Sequence, residues 1–346
     1  MLRLVFEMRA LLLLLFPAIL CAAPCLTATP ACTEFVKLAG GPARTQVYRT
    51  QPLRIRNSRI ERALVVIHGT NRDADNYFRS AIAAAFLAGA LENTLVIVPH
   101  IASAAGGCRD SLAPNEVSWN CSSWRTGGPS TADDKLTTFD MLDEILHRLA
   151  RRQTFPNLKM IVVAGHSAGG QFVNRYEMSN RVHETLGVPV RYVVSNPSSY
   201  AWIDDTRPAP DLAAACPGYD RWPYGLQNRR GYAARVSEEE LLKQLASRPT
   251  TYLLGQLDVL PLAGFDRSCF AMAQGDTRLA RGLAFAQTVN EKLNAGHHVV
   301  EVELCGHNPR CMFTADSALP VLFPALSQSA SSQTAKPRPA SAGSRD

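Results

Sequence analysis

Leu158-Lys159-Met160-Ile161-Val162-Val163-Ala164-Gly165-His166-Ser167-Ala168-Gly169-Gly170 joins an apolar, β-branched run to a Gly-x-Ser-x-Gly turn. The run Leu158–Ala164 reads as a short buried strand, and Gly170–Met178 can follow as a helix. A serine hydroxyl is a poor nucleophile unless the backbone thrusts it out of a sharp turn toward a base, and small neighbours make that turn sterically possible. The five-residue pattern alone arises by accident in roughly one such chain in ten, so its strand-turn-helix setting is what carries the signal. Ser167 is the candidate nucleophile.

Outward from that turn, the apolar runs Ala63–Ile67, Thr94–Val98, Leu158–Ala164 and Val190–Ser195 alternate with segments able to form helices, such as Asp75–Gly89 and Thr131–Arg152. Strands that are apolar on both faces and separated by helices imply an α/β domain with a mostly parallel central sheet and helices on both faces. Alternation in Arg44–Arg56 predicts edge strands near the start. The pattern resumes with a strand at Thr250–Leu254, a helix near Thr277–Leu293, a strand at Val299–Leu304 and a helical piece near Ser317–Leu326. Arg207–Arg248, rich in proline and aromatics, breaks the rhythm and reads as a small insertion over the active site. It ends in a helix opened by the capping box Ser237-Glu238-Glu239-Glu240. From Ser327 to Asp346 the chain is too polar and proline-broken to pack, and disorder is expected. With 346 residues and 46% hydrophobic content, one large catalytic domain over 24–326 is the simplest fit.

Arg3 and Arg9 flank or precede the apolar run Ala10–Leu20, and small residues follow around Cys21-Ala22-Ala23 and Leu26-Thr27-Ala28. That order is a secretory signal, 1–23 with cleavage possible as late as 28, and the expected location is secreted or periplasmic. In such a compartment cysteines pair. Cleavage before Pro24 leaves eight of the nine, and proximity suggests Cys108 with Cys121 and Cys305 with Cys311, leaving Cys216 with Cys269. Cys305-x-His307-x-x-x-Cys311 is also admissible as metal ligands, although no further ligand pair stands nearby. The net charge of +6 comes from dispersed arginines rather than a basic stripe, so no nucleic-acid partner is expected, nor stable membrane insertion once the signal is removed.

In a parallel sheet, ligands sit beyond the carboxyl ends of the strands. His297 and His298 precede a strand, whereas His307 follows one in Cys305-Gly306-His307-Asn308, where a loop can carry its imidazole above the serine. An imidazole acting as base needs a carboxylate to hold its tautomer. Asp258, directly after Thr250–Leu254, is the best placed; Asp266, Asp204 and Asp205 are the rivals. The oxyanion needs two backbone donors, for which Ala168 after the nucleophile and Thr70 after the strand ending Ile67-His68-Gly69 are the candidates. His68 and Asn71 in that loop, and Trp124 and Tyr200 after other strands, are the candidate substrate contacts, with Trp119 in the same Cys108–Gly128 segment. Trp222 and Tyr224 of the insertion could form a partial lid.

His68-Gly69, Gly165-His166-Ser167-Ala168-Gly169, Asp258 and His307, in this order from about Arg62 to Leu326, resemble the α/β-hydrolase superfamily of serine hydrolases. The resemblance implies the α/β-hydrolase fold and a hydrolase with a covalent acyl-enzyme step, no cofactor and no metal. Within it, the signal, the His-Gly loop and the cysteines are similar to secreted esterases of the polyhydroxyalkanoate-depolymerase and feruloyl-esterase type. The function expected is cleavage of a small-molecule or polymeric carboxylic ester by a Ser-His-Asp triad. A serine peptidase or amidase on the same fold and a non-catalytic binding protein are the alternatives. No residue pattern speaks to the oligomeric state.

Overall fold

The computed structural model describes residues 23–262 and 264–326. Apart from Ala23, the signal assigned to 1–23 lies outside the described residues, as does the tail assigned to 327–346. The chain opens with β1 (Thr33–Lys37), β2 (Arg44–Arg49), β3 (Arg62–Ile67), α1 (Ala74–Leu87) and β4 (Thr94–Pro99). A small parallel pair follows, β5 (Ser103–Ala105) and β6 (Trp119–Asn120), then α2 (Thr138–Leu149), β7 (Met160–His166), α3 (Ala168–Ser179) and β8 (Val190–Ser195). The last third holds α4 (Pro210–Ala214), α5 (Glu238–Ser247), β9 (Thr250–Gly255), α6 (Cys269–Met272), α7 (Arg278–Leu293), β10 (His298–Val302), α8 (Pro309–Thr314) and α9 (Leu319–Leu322).

Among the described residues, eight strands make one sheet in the order β1-β2-β4-β3-β7-β8-β9-β10. The β1–β2 and β2–β4 pairs are antiparallel and every other neighbouring pair is parallel. The central strands are buried on both faces, and the two-residue period divides their side chains between two cores. Ala63, Val65 and Ile67 of β3 pack toward Phe139 of α2, Phe172 of α3, Leu241 of α5 and Phe285 of α7. Leu64 and Val66 turn the other way, toward Phe78 of α1, Phe313 of α8 and Leu322 of α9.

Four expectations about local structure change. The helix expected over Thr131–Arg152 starts only at Thr138, because Thr137 and Asp140 form a full capping box there. The box expected at Ser237 forms by half: the Ser237 hydroxyl accepts from the Glu240 amide, but the Glu240 carboxylate is taken by Gln244. Residues 207–248 are not all insertion, since α5 packs against α3 and α7 as part of the regular helical layer. The piece expected near Ser317–Leu326 is the single turn of α9, preceded by α8.

Cys108–Cys121, Cys216–Cys269 and Cys305–Cys311 are disulfide-bonded, together with Cys25–Cys32, which the sequence reading left unassigned. The bond between Cys305 and Cys311 removes the metal-ligand reading of that spacing. Among the described residues, no group of three histidine, cysteine or acidic side chains is arranged to hold a metal ion, and no helix is long and apolar enough to cross a membrane.

Candidate active site

Ser167 sits between β7 and α3 with φ 60° and ψ −120°, a conformation that residues bearing a Cβ rarely adopt. The turn closes because its flanks lack side chains: a Cβ on Gly169 would collide with the Ile67 carbonyl, and one on Gly165 with the Gly169 carbonyl. The Ser167 amide is fixed by the Ser195 carbonyl at 2.9 Å.

Asp258 follows β9 and His307 follows β10, so both stand at the carboxyl edge that holds Ser167. The Ser167 hydroxyl lies 2.9 Å from His307 Nε2, and His307 Nδ1 lies 2.7 Å from Asp258 Oδ2. A carboxylate can only accept, so Nδ1 carries the proton and leaves Nε2 to accept from the serine. The three side chains named from sequence thus form one hydrogen-bonded chain across 140 residues of separation. Two of the three rival carboxylates are engaged elsewhere, Asp266 by the Tyr224 hydroxyl and Asp204 by Lys292.

Three residues hold this arrangement: Arg278 and Tyr77, which the sequence does not single out, and Asn196, which opens the stretch Asn196–Tyr200 expected from sequence to contact substrate. Arg278, the first residue of α7, donates to Asp258 Oδ1 at 3.3 Å and to the Ser198 hydroxyl at 2.8 Å, with both members of the ion pair buried. Asn196, at the end of β8, accepts from the Gly255 amide at 2.8 Å and donates to the Gly306 carbonyl at 3.3 Å, clamping the acid loop to the histidine loop. The Tyr77 hydroxyl meets His166 Nδ1 at 3.0 Å, and the His166 ring lies 4.7 Å from that of His307. Burial, with the nearby His307 and Arg278 charges, holds His166 well below the usual imidazole range, so it stays neutral beside the base.

Above the serine opens a cavity of about 170 Å³ whose lining includes Thr70, Asn71, Asp73, Tyr77, His166 and His307. A larger one, about 440 Å³, lies at the opposite strand ends, beside Arg191, Thr251 and His298, and is lined by none of Ser167, Asp258 and His307. Ala168 opens α3 and has no intrahelical acceptor for its amide. Among the described residues the Thr70 amide has no acceptor either.

Of the expected substrate contacts, Asn71 lines the cavity and three do not. His68 is fully buried: Nδ1–H donates to the Gly69 carbonyl and Nε2 accepts from the Ile101 amide, both at 3.0 Å, and burial pushes its imidazole down to about 3. It braces the Thr70 loop from behind. Trp124 stands edge-on to His68 in the core, Trp119 is likewise buried, and Tyr200 stacks on Phe285 at 4.5 Å. These rings are packing residues because the loops bearing them fold back over α3 and α7. Residues 207–248 supply none of the cavity lining. Trp222 is held by the Thr126 carbonyl and Tyr224 by Asp266, while buried Arg175 of α3 grips the Pro223 carbonyl.

The sequence matches no protein-family profile and no curated protein. Its fold does match solved structures. A poly(3-hydroxybutyrate) depolymerase from Bordetella parapertussis superposes with a TM-score of 0.60 at 19% identity, over 84% of this chain and 87% of that one. A poly(aspartic acid) hydrolase from Sphingomonas sp. KT-1 superposes with a TM-score of 0.59 at 23% identity, over 81% of this chain and 95% of that one. The architecture is the α/β-hydrolase fold.

Proposed function

We propose that this protein is a serine hydrolase that cleaves carboxylic esters through an acyl-enzyme intermediate. The observation that carries the reading is the unbroken hydrogen-bond chain from the Ser167 hydroxyl through His307 to Asp258, in a serine turn held at positive φ. In this reading His307 Nε2 takes the Ser167 proton as Oγ attacks the ester carbonyl. The Thr70 and Ala168 amides hold the oxyanion, and Asp258 stabilises the imidazolium. Collapse of the tetrahedral intermediate breaks the ester C–O bond, and the departing alcohol takes the proton from His307 Nε2. Water then repeats the sequence on the acyl-serine, releasing the acid and restoring the hydroxyl. His307 must be unprotonated at Nε2 to accept the Ser167 proton.

The amidase alternative has a specific motive, because one solved structure similar to this chain is named for poly(aspartic acid). Asp73 on the cavity wall speaks against an anionic acyl group here, since like charges at close range repel. Export is part of the proposal. Cys25 pairs with Cys32, and its amide donates to the Thr50 carbonyl at 2.7 Å, which favours cleavage after Ala23 over cleavage after Ala28.

A fluorophosphonate probe tests the nucleophile and a panel of p-nitrophenyl esters against peptide anilides tests the bond. Labelling of wild type, loss of label in a folded Ser167→Ala variant, and turnover of esters above anilides are expected. Labelling that persists without Ser167 sinks the assignment.

A further inference from the structure

Asp73 is the one carboxylate on the wall of the cavity above Ser167, and among the described residues no lysine or arginine lines that cavity. It immediately precedes α1, where an aspartate ordinarily accepts from an amide of the first helical turn. Here the side chain caps no amide: Oδ2 takes the Asn76 side-chain amide at 3.0 Å, and Oδ1 has no donor among the described residues. Neither helix capping nor the triad accounts for this carboxylate.

The basic groups nearest along the chain are held by other acids. Arg72 lies at φ 57° and turns its guanidinium to Asp110, with bonds of 2.9 and 3.2 Å, and to the Thr70 carbonyl at 3.1 Å. Arg79 pairs with Asp75 at 2.8 Å. Arg310 follows the cavity residue Pro309 without lining the cavity itself, and among the described residues no ion pair includes Asp73. The interior of the cavity feels the charge. Burial, and then Asp73, raise the Tyr77 phenol well above its ordinary range, and the Tyr77 hydroxyl meets His166 beside His307. A cavity of about 170 Å³ has room for roughly six groups the size of a water molecule, so what meets Asp73 lies within a few atoms of the carbonyl held at Ser167. Asp73 is half-buried, and a charge pair formed there counts for more than one on open surface.

We propose that Asp73 is a specificity-determining residue that selects esters carrying a positively charged ammonium group within a few atoms of the scissile carbonyl. The inference rests on the ester-hydrolase reading and adds the charge of its substrate. A neutral donor satisfies Oδ1 but leaves the carboxylate's charge unbalanced, whereas a cation does both, and an anion is repelled.

The test compares choline with its carbon isostere, in which a tert-butyl group replaces the trimethylammonium, as protectants of Ser167 against the fluorophosphonate probe. The two share a shape and differ in charge, so the ratio of their half-protecting concentrations reads charge alone. Asp73→Asn should shift that ratio about tenfold toward the neutral alcohol, and Asp73→Glu should keep the advantage of choline. A folding defect moves both protectants together and leaves the ratio where it was. Turnover then reads the substrate itself, with acetylcholine against the acetate of the isostere for the alcohol half. For the acyl half, the p-nitrophenyl ester of γ-trimethylammoniobutyrate is set against its tert-butyl counterpart. At least one pair should show the same shift in kcat/KM between wild type and Asp73→Asn, carried by KM, because bound substrate and transition state feel the charge alike. Equal protection ratios in wild type and Asp73→Asn overturn the proposal, as does a shift in neither ester pair. Absence of wild-type labelling by the probe would instead count against the hydrolase reading.

Discussion

Arg278 Nη1 donates to Oδ1 of Asp258 at 3.3 Å, the carboxylate oxygen that His307 leaves open. With the guanidinium and the carboxylate both out of water, each needs the other, and the imidazole is oriented by an acid that is itself fixed. Arg278→Gln should lower unfolding stability by about 3–5 kcal/mol and reduce kcat for a soluble ester, with Arg278→Lys intermediate. Urea denaturation and steady-state turnover check the pair. A folded Arg278→Gln enzyme with wild-type kcat would show that the acid needs no such support.

Ser167 stores backbone strain at φ 60°, ψ −120°. Ser167→Gly should therefore raise unfolding stability by about 1 kcal/mol or more while abolishing turnover. Ser167→Ala, equally inactive, should show no such gain. Thermal melts of the two variants side by side read the difference.

Glu177 is fully buried, its oxygens accepting from Asn174 at 3.2 Å and Thr250 at 2.9 Å, and burial raises its carboxyl from 4.5 to about 8. A raised folded-state value means that the native protein binds a proton the unfolded chain has lost. The associated stability is fully present below about pH 4.5 and is lost as pH rises through about 8. Urea midpoints at pH 5 and 8.5 should fall more for wild type than for Glu177→Gln. Equal falls would mean that this carboxyl does not titrate across the window.

Two disulfides should separate stability from activity. Cys216–Cys269 closes 53 residues and Cys305–Cys311 closes 6, so chain entropy alone assigns them about 4 and about 2 kcal/mol. The short one brackets His307. Serine pairs at 305 and 311 should thus lower kcat more and the urea midpoint less than serine pairs at 216 and 269. The reverse ranking would place His307 under the control of Asn196 and Asn308 rather than the disulfide.

The chemistry-bearing positions were readable because each lies within a few residues of a strand end. Gly165–Gly169, Asp258 and His307 are local marks on an apolar rhythm, and the parallel sheet brings such marks to one edge. The supporting residues were not readable. Arg278 opens a helix twenty residues beyond Asp258, and nothing in its surroundings distinguishes it from the other arginines of this basic chain. Asn196 opens a stretch that reads as substrate-facing, and its clamping role shows only when Gly255 and Gly306 are seen on either side of it. The aromatic residues misled for the same reason: proximity to a strand end places Trp124 and Tyr200 near the mouth along the chain, but only packing decides whether a ring faces substrate or core.

By itself the sequence determined the alternation of strands and helices and the steric possibility of the serine turn. These follow from side-chain period and the absence of Cβ atoms, which are local properties. Tertiary structure alone decided which carboxylate oxygen meets which nitrogen and which aromatics are interior. Those outcomes depend on distances between segments far apart along the chain, set by how helices seat against the sheet.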